Sequence, residues 1–206
     1  MTMLKILGRK TSSNVQKVLW CCSELDIPFE REDVGGPFGK NNTPEYLARN
    51  PNGLVPTIDD DGFILWESNA IVRYLCAKHG AGKLWQSDLA RRADADRWMD
   101  WQQTTLAPPM GVLFRGLLRQ PPEAIDAEQM NGAMQKATAA MRILDAQLAL
   151  HSFVAGDTLT MGDIALGNAA HRWFSLPRER PELPNVAKWY ARLNDRPAYR
   201  QHIATV

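Results

Sequence analysis

Asn50-Pro51-Asn52-Gly53-Leu54-Val55-Pro56-Thr57-Ile58, followed after a short turn by Phe63-Ile64-Leu65-Trp66-Glu67-Ser68, is the stretch whose reading decides the fold. Asn-Pro-Asn-Gly is a strong turn signal, because each residue favours a bend through its own backbone or side-chain chemistry. The segment after it is apolar and β-prone, yet it carries Pro56. A proline cannot donate to a sheet ladder, so it belongs at a strand start, an edge or a special turn. Val55 to Ile58 and Phe63 to Trp66 are expected to pair as a hairpin, with Asp59 to Gly62 as its turn. Ser68 then caps a helix whose apolar face includes Ile71, Tyr74 and Leu75.

Toward the N-terminus, Leu4, Ile6 and Leu7, ended by Gly8, read as a short buried strand. Val15, Val18, Leu19, Cys22 and Leu25 share one face of a helix that Ser12, Ser13 or Asn14 can cap. Pro28 ends that helix, and Phe29 to Val34 reads as a second strand joined to the first by a right-handed crossover. Gly35 to Thr43 is a loop by composition, and Pro44 opens a short helix through Ala48. The order is thus β-α-β-α-β-β-α, a mixed sheet with helices.

Beyond Gly80 the character changes and everything reads helix. Met130, Met134, Ala137, Met141, Leu144 and Leu148 form a long helical core stripe, with Pro108-Pro109 and Pro121-Pro122 bending or separating the helices around it. Thr160-x-x-Asp163 has capping-box spacing, with Leu159 and Ile164 at the staple positions. The expected division is residues 1–80 as an α/β domain, 81–87 as linker and 88–206 as an all-α helical bundle domain.

The 206 residues are 45% hydrophobic and 23% charged, enough for a core that needs no disulfide or metal staple. A formal net charge of +1 gives no electrostatic reason to expect a nucleic-acid or membrane partner. Cys21, Cys22 and Cys76 make a poor disulfide framework and supply no C-x-x-C pair for zinc or dithiol chemistry. Cys21 and Cys22 fall well inside the first helix, away from the helix N-terminus that activates a cysteine. The apolar stretch from Met1 to Gly8 is too short for a secretory signal or a membrane span, so a cytoplasmic location is expected.

A proline at position 56 can be an ordinary trans residue at a strand start. It can also be the cis-proline of thioredoxin-like sheets, which leaves the preceding N–H and C=O open to an added peptide strand. Glu67-Ser68 favours the second. A helix N-terminus with a serine is a receptor for a carboxylate, and a neighbouring glutamate can take an ammonium. Together they suit the end of an α-amino acid, although each alone is as readily a surface glutamate and a capping serine.

Asn50 to Thr57, Leu65-Trp66-Glu67-Ser68-Asn69-Ala70-Ile71 and Thr160-Met161-Gly162-Asp163-Ile164-Ala165 resemble the cytosolic glutathione S-transferase superfamily, over nearly the whole chain. The sequence looks most like the serine-using branch related to theta and bacterial classes. The resemblance implies a thioredoxin-like N-terminal domain, a helical C-terminal domain, glutathione as co-substrate, no metal, and a homodimer. It implies that Val55 and Pro56 meet the cysteinyl part of glutathione while Glu67 and Ser68 hold its γ-glutamyl end. Ser12-x-Asn14 resembles bacterial classes that use a hydroxyl and an amide at the thiol, whereas Ser13 is closer to the theta placement. Leu54 departs from the family pattern, which often has a basic residue there, so Lys40, Asn41 or Asn42 would have to reach the glutathione carboxylate.

A hydrophobic electrophile is expected against the helix around Leu106 to Leu118, with Met110, Phe114 and Phe38 as its apolar wall. Met and Phe at helical spacing are more usually core, and that reading comes first. Trp98 and Trp101 suit packing or a dimer interface better than a ligand. The implied activity is attack of the glutathione thiolate on an electrophilic carbon. The alternatives are glutathione-dependent peroxide or disulfide reduction, or a non-catalytic stress or interaction protein of the same fold.

Overall fold

The computed structural model describes residues 3–204; the start of the Met1–Gly8 stretch lies outside the described residues. Four strands form one sheet in the order β2-β1-β3-β4: β1 Leu4–Leu7, β2 Phe29–Glu32, β3 Thr57–Asp60 and β4 Phe63–Trp66. β1 and β2 are parallel, joined through helix α1 (Ser13–Glu24), and the other two pairings are antiparallel. Leu7 pairs with Glu32 on one side and Thr57 on the other, and Thr57 pairs with Trp66. The ends of β1, β2 and β4 and the start of β3 therefore lie along one rim of the sheet.

Two expected details shift. β2 stops at Glu32 instead of Val34, because the Val34 carbonyl accepts the Arg9 N–H at 3.0 Å in a loop contact. The hairpin turn is Asp61-Gly62 alone, with φ of 55° and 87°, the paired positive values of a tight two-residue hairpin. Asp59 and Asp60 therefore remain in the strand.

The chain divides into two compact units, one running to Ser87 and resuming at Arg196, the other Asp88–Asp195. In the first unit, α1 and α3 (Ser68–His79) cover the sheet, and α2 (Pro44–Leu47) sits in the β2–β3 connection. Val15, Val18, Leu19 and Trp20 of α1 and Ile71, Val72 and Leu75 of α3 are buried with Ile6 and Ile58. Helix α9 (Pro197–His202) belongs with this unit. Trp20 meets Tyr199 edge-on at 4.8 Å, and Arg196 pairs with Glu24 through both guanidinium arms.

The second unit is helical: α4 (Leu89–Trp101), α5 (Ala107–Leu118), α6 (Ala127–Leu148), α7 (Met161–Ser175) and α8 (Pro184–Asn194). A π-helical turn, Gln102–Leu106, joins α4 to α5 just before Pro108-Pro109. Two consecutive residues without N–H groups cannot continue the regular ladder, and a wider turn absorbs the defect. The predicted α6 stripe is buried apart from the half-buried Met134. Asp163 is the polar centre: its carboxylate accepts the Thr160 N–H and hydroxyl, the Val154 N–H and the Trp189 indole N–H, all at 2.9–3.0 Å. Among the described residues no helix is long and apolar enough to cross a membrane.

Candidate functional site

The rim where β1 ends and β3 begins gathers most of the predicted residues. Gly8 marks the meeting point. A Cβ added there would lie 2.5 Å from Val15 Cγ2 and 3.3 Å from Val55 Cβ, so the strand end, the first turn of α1 and Val55 converge on a spot that admits only glycine. The Val55-Pro56 peptide is cis. Among the described residues neither the N–H nor the C=O of Val55 has a protein hydrogen-bond partner, so its backbone edge is open to an extended peptide.

The turn before it is fixed from below. Asn50 Nδ2 donates to the Leu54 carbonyl at 2.8 Å and to Thr57 Oγ1 at 3.1 Å. Tyr46 OH also donates to the Leu54 carbonyl and meets Thr57 Oγ1 at 2.9 Å. Val55 packs on a small cluster of Leu7, Val34 and Tyr46.

Ser12 is the N-cap residue of α1, with extended backbone angles, and its side chain makes no capping bond. Its carbonyl accepts the Gln16 N–H at 2.8 Å, so the backbone begins the helix without help from the hydroxyl. Ser13 and Asn14 likewise have no side-chain partner among the described residues. Ser12 thus holds the N-cap position through its backbone, without a side-chain capping bond. Two hydroxyls, an amide and the unpaired N–H groups of the first turn all remain available to an anion.

The Thr57–Trp66 register, continued by one residue, sets Glu67 opposite Pro56. Glu67 has φ 71° and ψ 111°, and it, not Ser68, is the N-cap of α3; its carbonyl accepts the Ile71 N–H at 2.9 Å. The chain passes from β4 into the helix with no loop residue, and a left-handed glutamate makes that corner at a cost of about 1–3 kcal/mol. Ser68 opens the helix, buried, and neither side chain has a partner among the described residues.

The loop candidates for the glutathione carboxylate fare differently. Lys40 Nζ pairs with Glu32 at 2.7 Å on the surface, and Asn41 Nδ2 holds the Gly53 carbonyl at 2.7 Å. Asn42 is exposed. Arg9, which sequence reasoning passed over, lies against the glycine loop. A Cβ on Gly36 would come within 2.9 Å of its Cδ and Nε, and one on Gly35 would lie 3.2 Å from its Nη1 and 3.3 Å from Val55 Cγ1. Only a packing fact, that Gly35-Gly36 leaves room for a guanidinium beside Val55, identifies it. Leu54 is 65% exposed, an apolar side chain where a basic one would reach the ligand.

Phe38 stands 50% exposed on the Gly36–Phe38 turn. In the second unit Met110 is core, 3% exposed, whereas Phe114 is half-buried. Trp98 is buried, its indole N–H has no hydrogen-bond partner among the described residues, and it meets Trp101 edge-on at 5.1 Å. The three cysteines are free thiols, fully buried. Burial pushes the Cys22 thiol up to about 12, and the hydrogen bond with Cys76, 3.8 Å away, raises Cys21, so neither supplies a thiolate. Among the described residues no group of three or more His, Cys, Asp or Glu side chains could hold a metal ion.

This combination of sheet, cis-proline edge and helical second unit coincides with one family. Residues 11–78 match the glutathione S-transferase N-terminal domain, and residues 122–192 the glutathione S-transferase C-terminal domain. Glutathione S-transferase GstB of Escherichia coli (strain K12) is 42% identical over 201 residues, 97% of each chain. The crystal structure of the theta class glutathione S-transferase from the citrus canker pathogen Xanthomonas axonopodis pv. citri, with glutathione bound, superposes with a TM-score of 0.95. It is 45% identical, over 100% of this chain and 99% of that one. Glutathione transferase F2 from Populus trichocarpa, at 25% identity, covers 98% of this chain and 97% of its own with a TM-score of 0.88. The chain belongs to the glutathione S-transferase family.

Proposed function

We propose that this enzyme binds glutathione along the Val55 edge and transfers its thiolate to the electrophilic carbon of a hydrophobic substrate. The observation that carries the reading is the convergence at Gly8 of two unspent sets of groups. One is the open backbone of Val55; the other is the uncapped start of α1, with Ser12, Ser13 and Asn14. A tripeptide paired to Val55 brings its cysteinyl sulfur to that helix start, while its γ-glutamyl ammonium and carboxylate meet Glu67 and Ser68. A free thiol titrates near about 8.5, so lowering it is the main task of the protein. Ser12 Oγ–H and Asn14 Nδ2–H donate to the sulfur, and the helix dipole favours its negative charge. The thiol proton leaves to solvent, the S–C bond forms, and the leaving group, chloride for an aryl chloride, departs with its electron pair.

Ser12 with Asn14 is favoured over Ser13 as the thiol contact. Arg9, beside Val55, takes the glycyl carboxylate ahead of Lys40, which is engaged with Glu32, with Asn42 as the remaining loop contact. In the helical unit the apolar part of the second substrate is assigned to the half-buried Phe114 and not to the buried Met110.

The enzyme is further proposed to be a cytoplasmic homodimer. Support for a partner comes from a groove of about 480 Å³ in the helical unit, where Trp98, Trp101, Ile143, Ala146 and Leu150 lie beside Arg97 and Gln147. Ile143 and Leu150 are 53% and 74% exposed, an apolar surface that a second copy would cover. The direct test of the activity is turnover of a chloronitrobenzene with glutathione; absence of glutathione binding at millimolar concentration would end the reading.

A further inference from the structure

The second unit carries a group of charges that thiolate chemistry does not use. The Arg172 guanidinium of α7 lies 3.9 Å from the ring centroid of Phe114 on α5, and Arg119, just past the end of α5, lies 4.9 Å from the same ring. Two cations over one ring repel each other, and the ring's attraction, about 0.5–2 kcal/mol each, only partly offsets this. The usual compensation is a carboxylate. Among the described residues neither guanidinium has an ion pair or a hydrogen-bond acceptor.

The surroundings add more positive charge. Arg115 lies along α5 over Gly111, where an added Cβ would come 3.3 Å from its Nη1. Arg178 and Arg180 are held by the Asn131 amide and by the carbonyls of Trp173 and Leu176, again without an acid. Burial, and then the charge of Arg119, push Arg172 down to about 10, so it remains a cation at neutral pH. A half-buried guanidinium presents five N–H donors in a fixed fork that matches a carboxylate. An anion reaching that fork would exchange water for charge-assisted hydrogen bonds.

We propose that Arg172 and Arg119, with Phe114, form a subsite for the carboxylate of an acidic electrophile, making this enzyme selective for anionic second substrates. The inference rests on the assignment of Phe114 to the second-substrate wall. The carboxylate takes the Arg172 fork, Arg119 completes its neutralisation, and the ring supports the apolar body of the substrate.

The test compares kcat/KM for a chlorodinitrobenzoate and for its methyl ester at saturating glutathione, in the wild type, Arg172→Gln and Arg119→Gln. Arg119 is exposed, so its variant folds even if Arg172→Gln is impaired. The wild type should prefer the acid, and the acid-to-ester ratio should fall about tenfold or more in each variant, the worth of a hydrogen bond to a charged group. An unmoved ratio with the ester still turned over overturns the subsite alone. A raised KM for glutathione in place of a changed ratio assigns the anion to glutathione and also overturns it. Turnover of neither compound by the wild type overturns the transferase reading and this inference with it.

Discussion

Ser12 spends its carbonyl on the helix and keeps its hydroxyl, which is the residue-level basis of the proposed mechanism. Ser12→Ala should lower kcat/KM about a hundredfold, the usual effect of removing one donor from a developing or stabilised anion, and shift the pH–rate profile upward. Asn14→Ala should act in the same direction and Ser13→Ala should not; steady-state kinetics across pH distinguishes them. At Glu67, Gln keeps the size and loses the charge, so KM for glutathione should rise with kcat little changed. The sequence made these positions visible because each sits at a junction marked by turn or proline chemistry. Arg9 was invisible to it: an arginine after a strand looks like any solvated cation until the Gly35-Gly36 loop is seen folding against it. The Lys40–Glu32 ion pair was hidden for a similar reason, since only the fold brings Glu32 to Lys40.

At the scale of elements, the hairpin and both early helices were readable from turn residues and periodicity, with errors confined to ends. The Asp61-Gly62 turn was placed too wide because Asp59 and Asp60 look like loop residues, whereas pairing with Phe63 and Ile64 keeps them in the strand. The Thr160–Asp163 box was legible, but its reach was not. Asp163 also binds Val154 and the Trp189 indole of α8, which no local spacing reveals. Burial, opposed by those hydrogen bonds, raises its carboxyl from the usual 3.8 to about 6. Between those two values the native state keeps a proton that the unfolded chain has lost, so this group's contribution to stability falls as pH rises from about 4 to about 6. Urea midpoints measured across that window should show this slope in the wild type and not in Asp163→Asn. Asp163→Ala, which strands four donors, should cost about 3–5 kcal/mol.

For the whole molecule, the change from mixed sheet to helix near residue 80 was plain in the sequence, because strands cease and a 3.6-residue stripe begins. The return of the chain to its first unit was not. A short terminal helix after a run of helices reads as one more of them, whereas the Glu24–Arg196 pair, the Ser23–His202 hydrogen bond and the Trp20–Tyr199 contact assign it to α1. Glu24→Ala should therefore destabilise the sheet-containing unit by about 2 kcal/mol, since the Trp20 indole and Arg196 both lose a buried acceptor. Sedimentation should give twice the 23.1 kDa chain mass if the Trp98–Leu150 groove is covered by a second copy.

All of this turns on glutathione lying along Val55 with its sulfur at the start of α1. Ultraviolet titration of the thiolate in the glutathione complex measures that directly. The bound thiol should titrate at least about one unit below its free value near 8.5, and Ser12→Ala should return it most of the way. A bound thiol that titrates as it does in water would contradict the account.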